Sequence, residues 1–208
     1  MQKNAEVTEQ KKGLAHLIPS RAALEPQSDS PGPDPTGLAG RLRQGDRAAA
    51  EELVELYYER MYQFMRAMGH DSQMSEDLVQ EVFMRAWYHI GQLRDGRALT
   101  GWLFRIAGNV SRLHWRRHKP EDRVHSDDIE PPADSADTLA RAGDQEQFGR
   151  LHEAIEQLPW KLRQAIVLHY MDQLTIAEAA EAANVRQGTL KSRLSRALEA
   201  LRKHVPDE

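Results

Sequence analysis

The chain has 208 residues, no cysteine and a formal net charge of -4 at pH 7. This length predicts one or two domains, and the absence of cysteine excludes a disulfide framework and thiolate metal sites. No apolar run is long enough to span a bilayer, and residues 13–18 are too short and too mixed for a secretory signal. We therefore expect a soluble, cytoplasmic protein without membrane insertion.

The first part of the chain divides into an extension and the start of a helical domain. Residues 1–37 hold several prolines among scattered serine, glycine and aspartate, and they are predicted to form a disordered N-terminal extension. Helical patterning begins near Leu38, and Gly69 is predicted to end a helix. The apolar residues that recur at helical spacing before it are Leu53, Leu56, Tyr57, Phe64 and Met68.

Two further helices are predicted before residue 120. Ser75 is expected to cap the first of them, with Glu76 and Asp77 at the positive end of its dipole. After a glycine-rich turn, the second is expected to run through Trp102 to about Arg117. The buried stripe of the first helix comprises Leu78, Val82, Ala86 and Ile90.

Charges are segregated along the middle of the chain. From Arg105 to Lys119 every charged residue is positive, whereas acids dominate from Glu121 to Glu146. The acidic segment also contains adjacent prolines and is predicted to be a linker. The net charge sums basic surfaces and this acidic linker, so its value does not indicate which partners the protein binds. No stretch alternates with period two, so the expected fold is all-α, with two small helical domains joined by an acidic flexible linker.

The most informative pattern lies near the C-terminus and indicates a helix-turn-helix, which places a helix in the DNA major groove. Thr175 and Glu178 fit a capping box, and Asn184 suits a left-handed turn residue before the second helix. The alternative is an ordinary helical hairpin with a solvated basic face. The second helix is expected to bury Leu190, Leu194, Leu198 and Leu201 and to expose Lys191, Ser192, Arg193, Ser195 and Arg196.

Two earlier segments carry candidate binding residues. The spacing of one polar set puts it on a single helical face that suits docking against a charged helix, although a solvated face is the alternative: Asp77, Gln80, Glu81 and Arg85. The other set mixes aromatic rings with cations, as in proteins that hold single-stranded DNA: Trp102, Arg105, Asn109, Arg112, Trp115, Arg116 and Arg117. For Trp102 a place in the core is at least as good an interpretation.

The sequence predicts neither a metal site nor a cofactor. His114 and His118 have an i, i+4 spacing that can bind metal, but no third ligand is placed convincingly near them. There is no P-loop, no His-Glu-x-x-His and no Gly-x-Ser-x-Gly, so an enzyme is a remote alternative.

Three segments in order resemble the extracytoplasmic-function group of bacterial RNA polymerase sigma factors. Residues 75–87 (SEDLVQEVFMRAW) are similar to the family's helix that binds core polymerase, and residues 101–109 (GWLFRIAGN) to its promoter-melting helix. Residues 158–196 are similar to its second DNA-binding domain. The resemblance spans about residues 38–205 and implies a factor that opens the −10 element, reads the −35 element and itself catalyses no reaction.

The resemblance also implies domains, partners and site residues. It implies sigma region 2 at residues 38–120, the linker at 121–147 and sigma region 4 at 148–208. The expected partners are promoter DNA, the clamp coiled coil and flap of core polymerase, and an anti-sigma factor. The polar face around Gln80 would bind the clamp, and the aromatic and cationic set around Trp102 the −10 element. The −35 element would be contacted by Gly188, Thr189, Lys191, Ser192, Arg193, Ser195 and Arg196.

The chain departs from the family pattern at a few positions. Arg186 stands where the family often has serine or proline, so the recognition helix has a poorer cap. Thr100 and Gly101 precede Trp102 where a basic residue and a threonine are more usual, and Ser195 replaces the larger side chains of some members. A rival function is a sigma mimic that sequesters an anti-sigma factor without using DNA, but Lys191 and its neighbouring cations argue against it.

Overall fold

The computed structural model describes residues 34–117 and 153–204, and all regular structure within these ranges is helical. The predicted all-α class is confirmed. The N-terminal extension before residue 34 and the predicted acidic linker lie outside the described residues. The helices are α1 (Pro35–Arg43), α2 (Arg47–Ala67), α3 (Ser72–His89), α4 (Leu99–Arg117), α5 (Trp160–Ile166), α6 (Ile176–Ala182) and α7 (Gln187–His204).

The N-terminal unit is built from α1 to α4. Helices α2, α3 and α4 pack against one another, and α1 lies across α2 and the turn that precedes α4. Phe64 of α2 and Phe104 of α4 are fully buried and meet edge to face, with ring centroids 5.5 Å apart. Helix α1 begins at Pro35, earlier than the patterning near Leu38 indicated, because the Asp34 carboxylate accepts hydrogen bonds from two backbone amides of its first turn.

The predicted N-cap of α3 was wrong. Asp71 caps this helix, and its side chain accepts a hydrogen bond from the Met74 amide at 2.8 Å. Ser75 lies one turn further in and is fully buried, and its hydroxyl donates to the His70 carbonyl at 3.4 Å. Glu76 and Asp77 therefore lie beyond the first turn, where the helix dipole stabilises them less.

The C-terminal unit has the predicted helix-turn-helix geometry. Thr175 and Glu178 form the reciprocal capping box that starts α6. Asn184 has a φ of 52° and supplies the left-handed residue of the turn before α7. The four leucines of α7 are buried against α5 and α6, as their spacing predicted. A single turn with π-helical hydrogen bonding, Val167–Met171, extends α5.

The two units contact each other directly. Helix α4 packs against α6, and α2 contacts the turn at Val167–Met171. Helix α4 is therefore covered by its own unit and by the C-terminal unit. No helix within the described ranges is long and apolar enough to cross a membrane.

The left-handed turn residue gives a direct test of the helix-turn-helix. At position 184 the Cβ of an alanine would be crowded at positive φ, whereas glycine has no Cβ and adopts this φ freely. We expect Asn184→Ala to lower the free energy of unfolding by about 1 kcal/mol relative to Asn184→Gly, measured by urea denaturation. Equal stability of the two variants would contradict a left-handed turn at this position.

Candidate nucleic-acid interface

Helix α7 gathers the predicted −35 residues on one exposed face. Lys191, Ser192, Ser195 and Arg196 are exposed, as are the first-turn residues 188 and 189. The Ser192 hydroxyl donates to the Gly188 carbonyl at 3.0 Å, which fixes its orientation along the helix. The structure thus presents a row of cations and hydroxyls opposite the buried leucines, an arrangement that suits base edges and phosphates.

Arg193 differs from its neighbours because it is partly buried. Desolvation lowers the pKa of its guanidinium, and the nearby charge of Arg196 lowers it further. A phosphate beside this side chain would relieve both effects by supplying the missing negative charge. Arg193 is therefore a partly buried cation, whereas Arg196 is exposed.

Helix α4 carries its cations on the side that faces solvent. Asn109 and Arg112 are exposed, and Arg105 is half-buried. Arg116 and Arg117 are exposed on the last turn, and Trp115 beside them is half-buried. The exposed edge of α4 is uniformly positive, which suits a nucleic-acid backbone.

Trp102 does not lie on this exposed edge. Its side chain is only 3% exposed and belongs to the hydrophobic core. In this conformation the interpretation of Trp102 as a core residue holds, and a base could reach its ring only if the surrounding side chains moved.

His70 contributes to the same region and was missed in the sequence. Its Nε2 lies 2.9 Å from the Ser111 hydroxyl of α4, and its ring stacks on Trp115 with centroids 4.9 Å apart. Burial lowers the pKa of His70 to about 3, and the nearby charge of His114 acts in the same direction. The imidazole is therefore neutral at physiological pH and positions Trp115. Its packing depends on the meeting of two distant helices, so no local sequence signal could have revealed it.

The two histidines weighed as metal ligands do not form a site within the described ranges. His114 packs edge-on against His70, with ring centroids 5.1 Å apart, and His118 lies outside the described residues. No group of three potential ligands occurs in residues 34–117 and 153–204.

The predicted polar face of α3 is present and borders an apolar groove. Asp77 and Gln80 are exposed, and Arg85 donates to the Glu81 carboxylate at 2.5 Å. Next to them α2 and α3 enclose a groove of about 340 Å³. Exposed apolar side chains of this kind mark interaction surfaces, and the spacing of residues in the sequence did not predict this groove. The groove residues are Ala50, Leu53, Val54, Phe83, Met84, Trp87 and Tyr88.

Each of the two units matches a known family model. The family model for sigma-70 region 2 matches residues 53–121, and the model for sigma-70 region 4 matches residues 148–201. The ECF RNA polymerase sigma factor SigW of Bacillus subtilis is 31% identical over 183 residues, covering 80% of this chain and 94% of SigW. SigE of Mycolicibacterium smegmatis is 31% identical over 207 residues, covering 91% of this chain and 77% of SigE.

Two solved structures share the arrangement of helices. CnrH, in complex with the cytosolic domain of CnrY, superposes with a TM-score of 0.62 at 23% identity and covers 82% of this chain and 96% of its own. The sigma factor RpoE of Bartonella quintana, in complex with the anti-sigma factor NepR, superposes with a TM-score of 0.58 at 26% identity. That comparison covers 76% of this chain and 98% of RpoE.

The buried His70 makes stability depend on pH. Its folded pKa lies below the unfolded value of about 6.5, so the unfolded state binds the extra proton as pH falls. The stability that neutral His70 provides is complete above pH 6.5 and is lost as pH falls toward 3.

We expect the wild-type chain to lose up to about 1.4 kcal/mol per pH unit below pH 6.5, relative to a His70→Gln variant. Urea denaturation of both proteins at pH 7, 6 and 5 measures this difference. Parallel pH profiles for the two proteins would show that His70 is not buried in its neutral form.

Proposed function

The chain belongs to the extracytoplasmic-function group of RNA polymerase sigma factors, which direct the polymerase to promoters for transcription initiation, and we propose how its residues divide that work. Residues 38–120 act as region 2 and residues 148–208 as region 4, with residues 121–147 linking them. The chain supplies recognition, and the polymerase carries out the chemistry. The observation that carries the proposal is the exposed cationic face of α7 on a helix-turn-helix, in a chain that is acidic overall.

The polar face of α3 docks on core polymerase. Asp77 and Gln80 are exposed, and the Glu81–Arg85 pair holds two further polar groups at a fixed spacing. Charged groups in such a row fix the orientation of a partner helix, while the neighbouring Trp87 and Tyr88 supply apolar area. The clamp coiled coil of the polymerase is the partner that we assign to this face.

The positive edge of α4 contacts the −10 element. Exposed Arg112, Arg116 and Arg117 follow the phosphates, and Trp115 offers a ring on which an unstacked base can stack. Arg105 and Asn109 lie on the preceding turns and extend the contact. Trp102 contacts the −10 element only if the core side chains around it move.

The exposed face of α7 reads the −35 element. Lys191, Ser192, Ser195 and Arg196 point to base edges, with the backbone of residues 188 and 189 near phosphate. Partly buried Arg193 contacts phosphate, since a phosphate compensates the desolvation that lowers its pKa.

An anti-sigma factor is the partner that we propose for regulation. RpoE of Bartonella quintana, similar to this chain over 98% of its length, is in complex with the anti-sigma factor NepR. The apolar groove between α2 and α3 offers exposed area to such a partner, beside the face assigned to core polymerase. A protein bound there would compete with the polymerase.

Replacing the polar groups of α3 tests the docking assignment. We expect Gln80→Ala with Glu81→Ala to weaken core binding about tenfold or more, because hydrogen bonds to charged groups are worth about 1.5–3 kcal/mol. Titration of labelled chain with purified core polymerase measures the affinity. A matched control, Gln157→Ala with Glu199→Ala, removes the same residue types from exposed positions of the C-terminal unit. Equal affinity of both double variants would refute the docking face.

The two arginines of α7 should behave differently. Arg196→Ala should relax the preference at one −35 position by about 1–3 kcal/mol. Arg193→Ala should weaken all promoters alike and reduce the salt slope by about one. Transcription from a library of −35 sequences at several salt concentrations separates these effects.

The control for the arginine pair is Arg202→Ala, which removes an exposed cation further along the same helix. It should leave preference and salt slope unchanged. If Arg196→Ala lowers every promoter equally, its base-reading role is wrong and it belongs with the phosphate contacts.

A further inference from the structure

The apolar groove between α2 and α3 is open to solvent in the described part of the chain. Met84 and Tyr88, which line it from α3, are 61% and 78% exposed, and Val54 on α2 is 39% exposed. Met84 and Tyr88 are four residues apart and therefore adjacent on the surface of their helix. A continuous exposed apolar surface of this kind marks the binding site of another segment.

The charges that border the groove are mainly acidic. Three exposed carboxylates share a helical face with groove residues, at separations of three or seven positions: Glu51, Glu76 and Asp77. The two cations of these faces each lie beside a glutamate of the same helix, Arg47 at 3.8 Å from Glu51 and Arg85 at 2.5 Å from Glu81. The remaining charge is negative, so the groove suits an apolar segment flanked by cations.

The N-terminal extension, which lies outside the described residues, contains a segment of that chemistry. Leu14, Leu17 and Ile18 recur at i, i+3 and i+4, the spacing at which a helix inserts one apolar face into a groove. Every formally charged residue from Lys11 to Arg21 is positive. We call residues 11–21 the anchor segment. Its apolar residues match the groove, and its cations match the acidic border.

The rest of the extension is long enough to bring the anchor segment to the groove. Residues 19–33 can extend over about 50 Å at about 3.1–3.3 Å per residue. The path from Asp34 through α1 to Val54 is at most about 40 Å at about 1.5 Å per helical residue and about 3.3 Å per turn residue. A tether of this length gives the segment an effective concentration on the order of millimolar, so a weak contact suffices.

We propose that the anchor segment binds the groove between α2 and α3 of its own chain and thereby covers the face assigned to core polymerase. The intramolecular contact rests on the groove and on the sequence of the extension, and it can be tested without polymerase. The competition with polymerase rests on the proposed function. A covered population lowers the apparent affinity for core polymerase in proportion to the uncovered fraction.

A single spin label tests the contact in the full chain. Because the chain has no cysteine, His16→Cys supplies the only attachment site for a nitroxide, on the side of the segment opposite its apolar residues. A nitroxide broadens the NMR signals of methyl groups close to it. In protein labelled with methyl-13C methionine, we expect strong broadening of the Met84 signal, which reports on the groove, and little broadening of Met171 in the C-terminal unit.

Substitutions in the extension test which residues make the contact. Leu14→Asp with Leu17→Asp should abolish the selective broadening of Met84, because carboxylates replace two apolar anchors. The matched control, Ala23→Asp with Leu24→Asp, adds the same charge to the extension outside the anchor segment and should keep the broadening. An unchanged signal of the buried Met61 shows that each variant is folded.

Reversing the charge of the segment tests the acidic border separately. Lys11→Glu with Lys12→Glu leaves the apolar residues in place, yet it should weaken the broadening of Met84 because like charges then meet at the groove. The loss should be smaller at high salt concentration, since salt screens exposed charges.

Titration with purified core polymerase tests the competition. If the anchor segment covers the groove in about nine of ten free molecules, Leu14→Asp with Leu17→Asp should bind core polymerase about tenfold more tightly than the wild type. Ala23→Asp with Leu24→Asp should bind as the wild type does, which controls for the added negative charge.

The outcomes separate the contact from the proposed function. A Met84 signal that the label leaves sharp, or broadening that survives Leu14→Asp with Leu17→Asp, would overturn the contact. Broadening that arises when spin-labelled chain is mixed with separate methyl-labelled chain would show that a second copy fills the groove, and would overturn the intramolecular contact. Equal core affinity of both double variants would overturn the competition. Absence of core binding by every variant would contradict the proposed function and leave the contact standing.

Discussion

The packing of α4 is the constraint on which the rest of the structure depends. One side of this helix completes the core of the N-terminal unit through Phe104 and Trp102, and another side packs against α6 and lies next to the Gln164 side chain of α5. A Cβ added at Gly101 would touch the Glu178 carbonyl oxygen at 3.4 Å, and one added at Gly108 would lie 2.6 Å from the Gln164 side-chain nitrogen, so both glycines face the C-terminal unit. The remaining edge, with Arg112 and Arg116, stays exposed to solvent. A single helix therefore links core stability, interdomain contact and the cations assigned to DNA.

Positive and negative charges are separated into local surfaces of the molecule. The whole chain carries a formal net charge of -4, yet the exposed edges of α4 and α7 are cationic. Local potential, not net charge, governs how such a surface attracts phosphate. The face of α3 differs again, because Glu81 and Arg85 neutralise each other there and exposed Trp87 provides apolar area. That combination suits a protein partner.

Sequence patterns predicted what depends on local chemistry. The capping box at Thr175 and the left-handed Asn184 follow from short-range preferences, so they were found correctly. Asp71 was missed as a cap because Ser75, one turn later, fits the same local rule and only tertiary burial separates the two. The role of His70 depends on Ser111, and the hydrogen bond that Arg60 of α2 donates to the Asp172 carbonyl joins the two units, so both involve residues far apart in sequence. Spacing within a single helix carries no information about such contacts.

The chain, as a sigma factor, is expected to confer promoter choice on a polymerase that lacks it. Run-off transcription with purified core polymerase and templates of randomised upstream sequence tests this most directly. We expect transcripts only when the chain is added, and we expect them to start at a fixed distance from two shared upstream elements. No transcription above that of core polymerase alone, or transcripts without shared upstream elements, would contradict it.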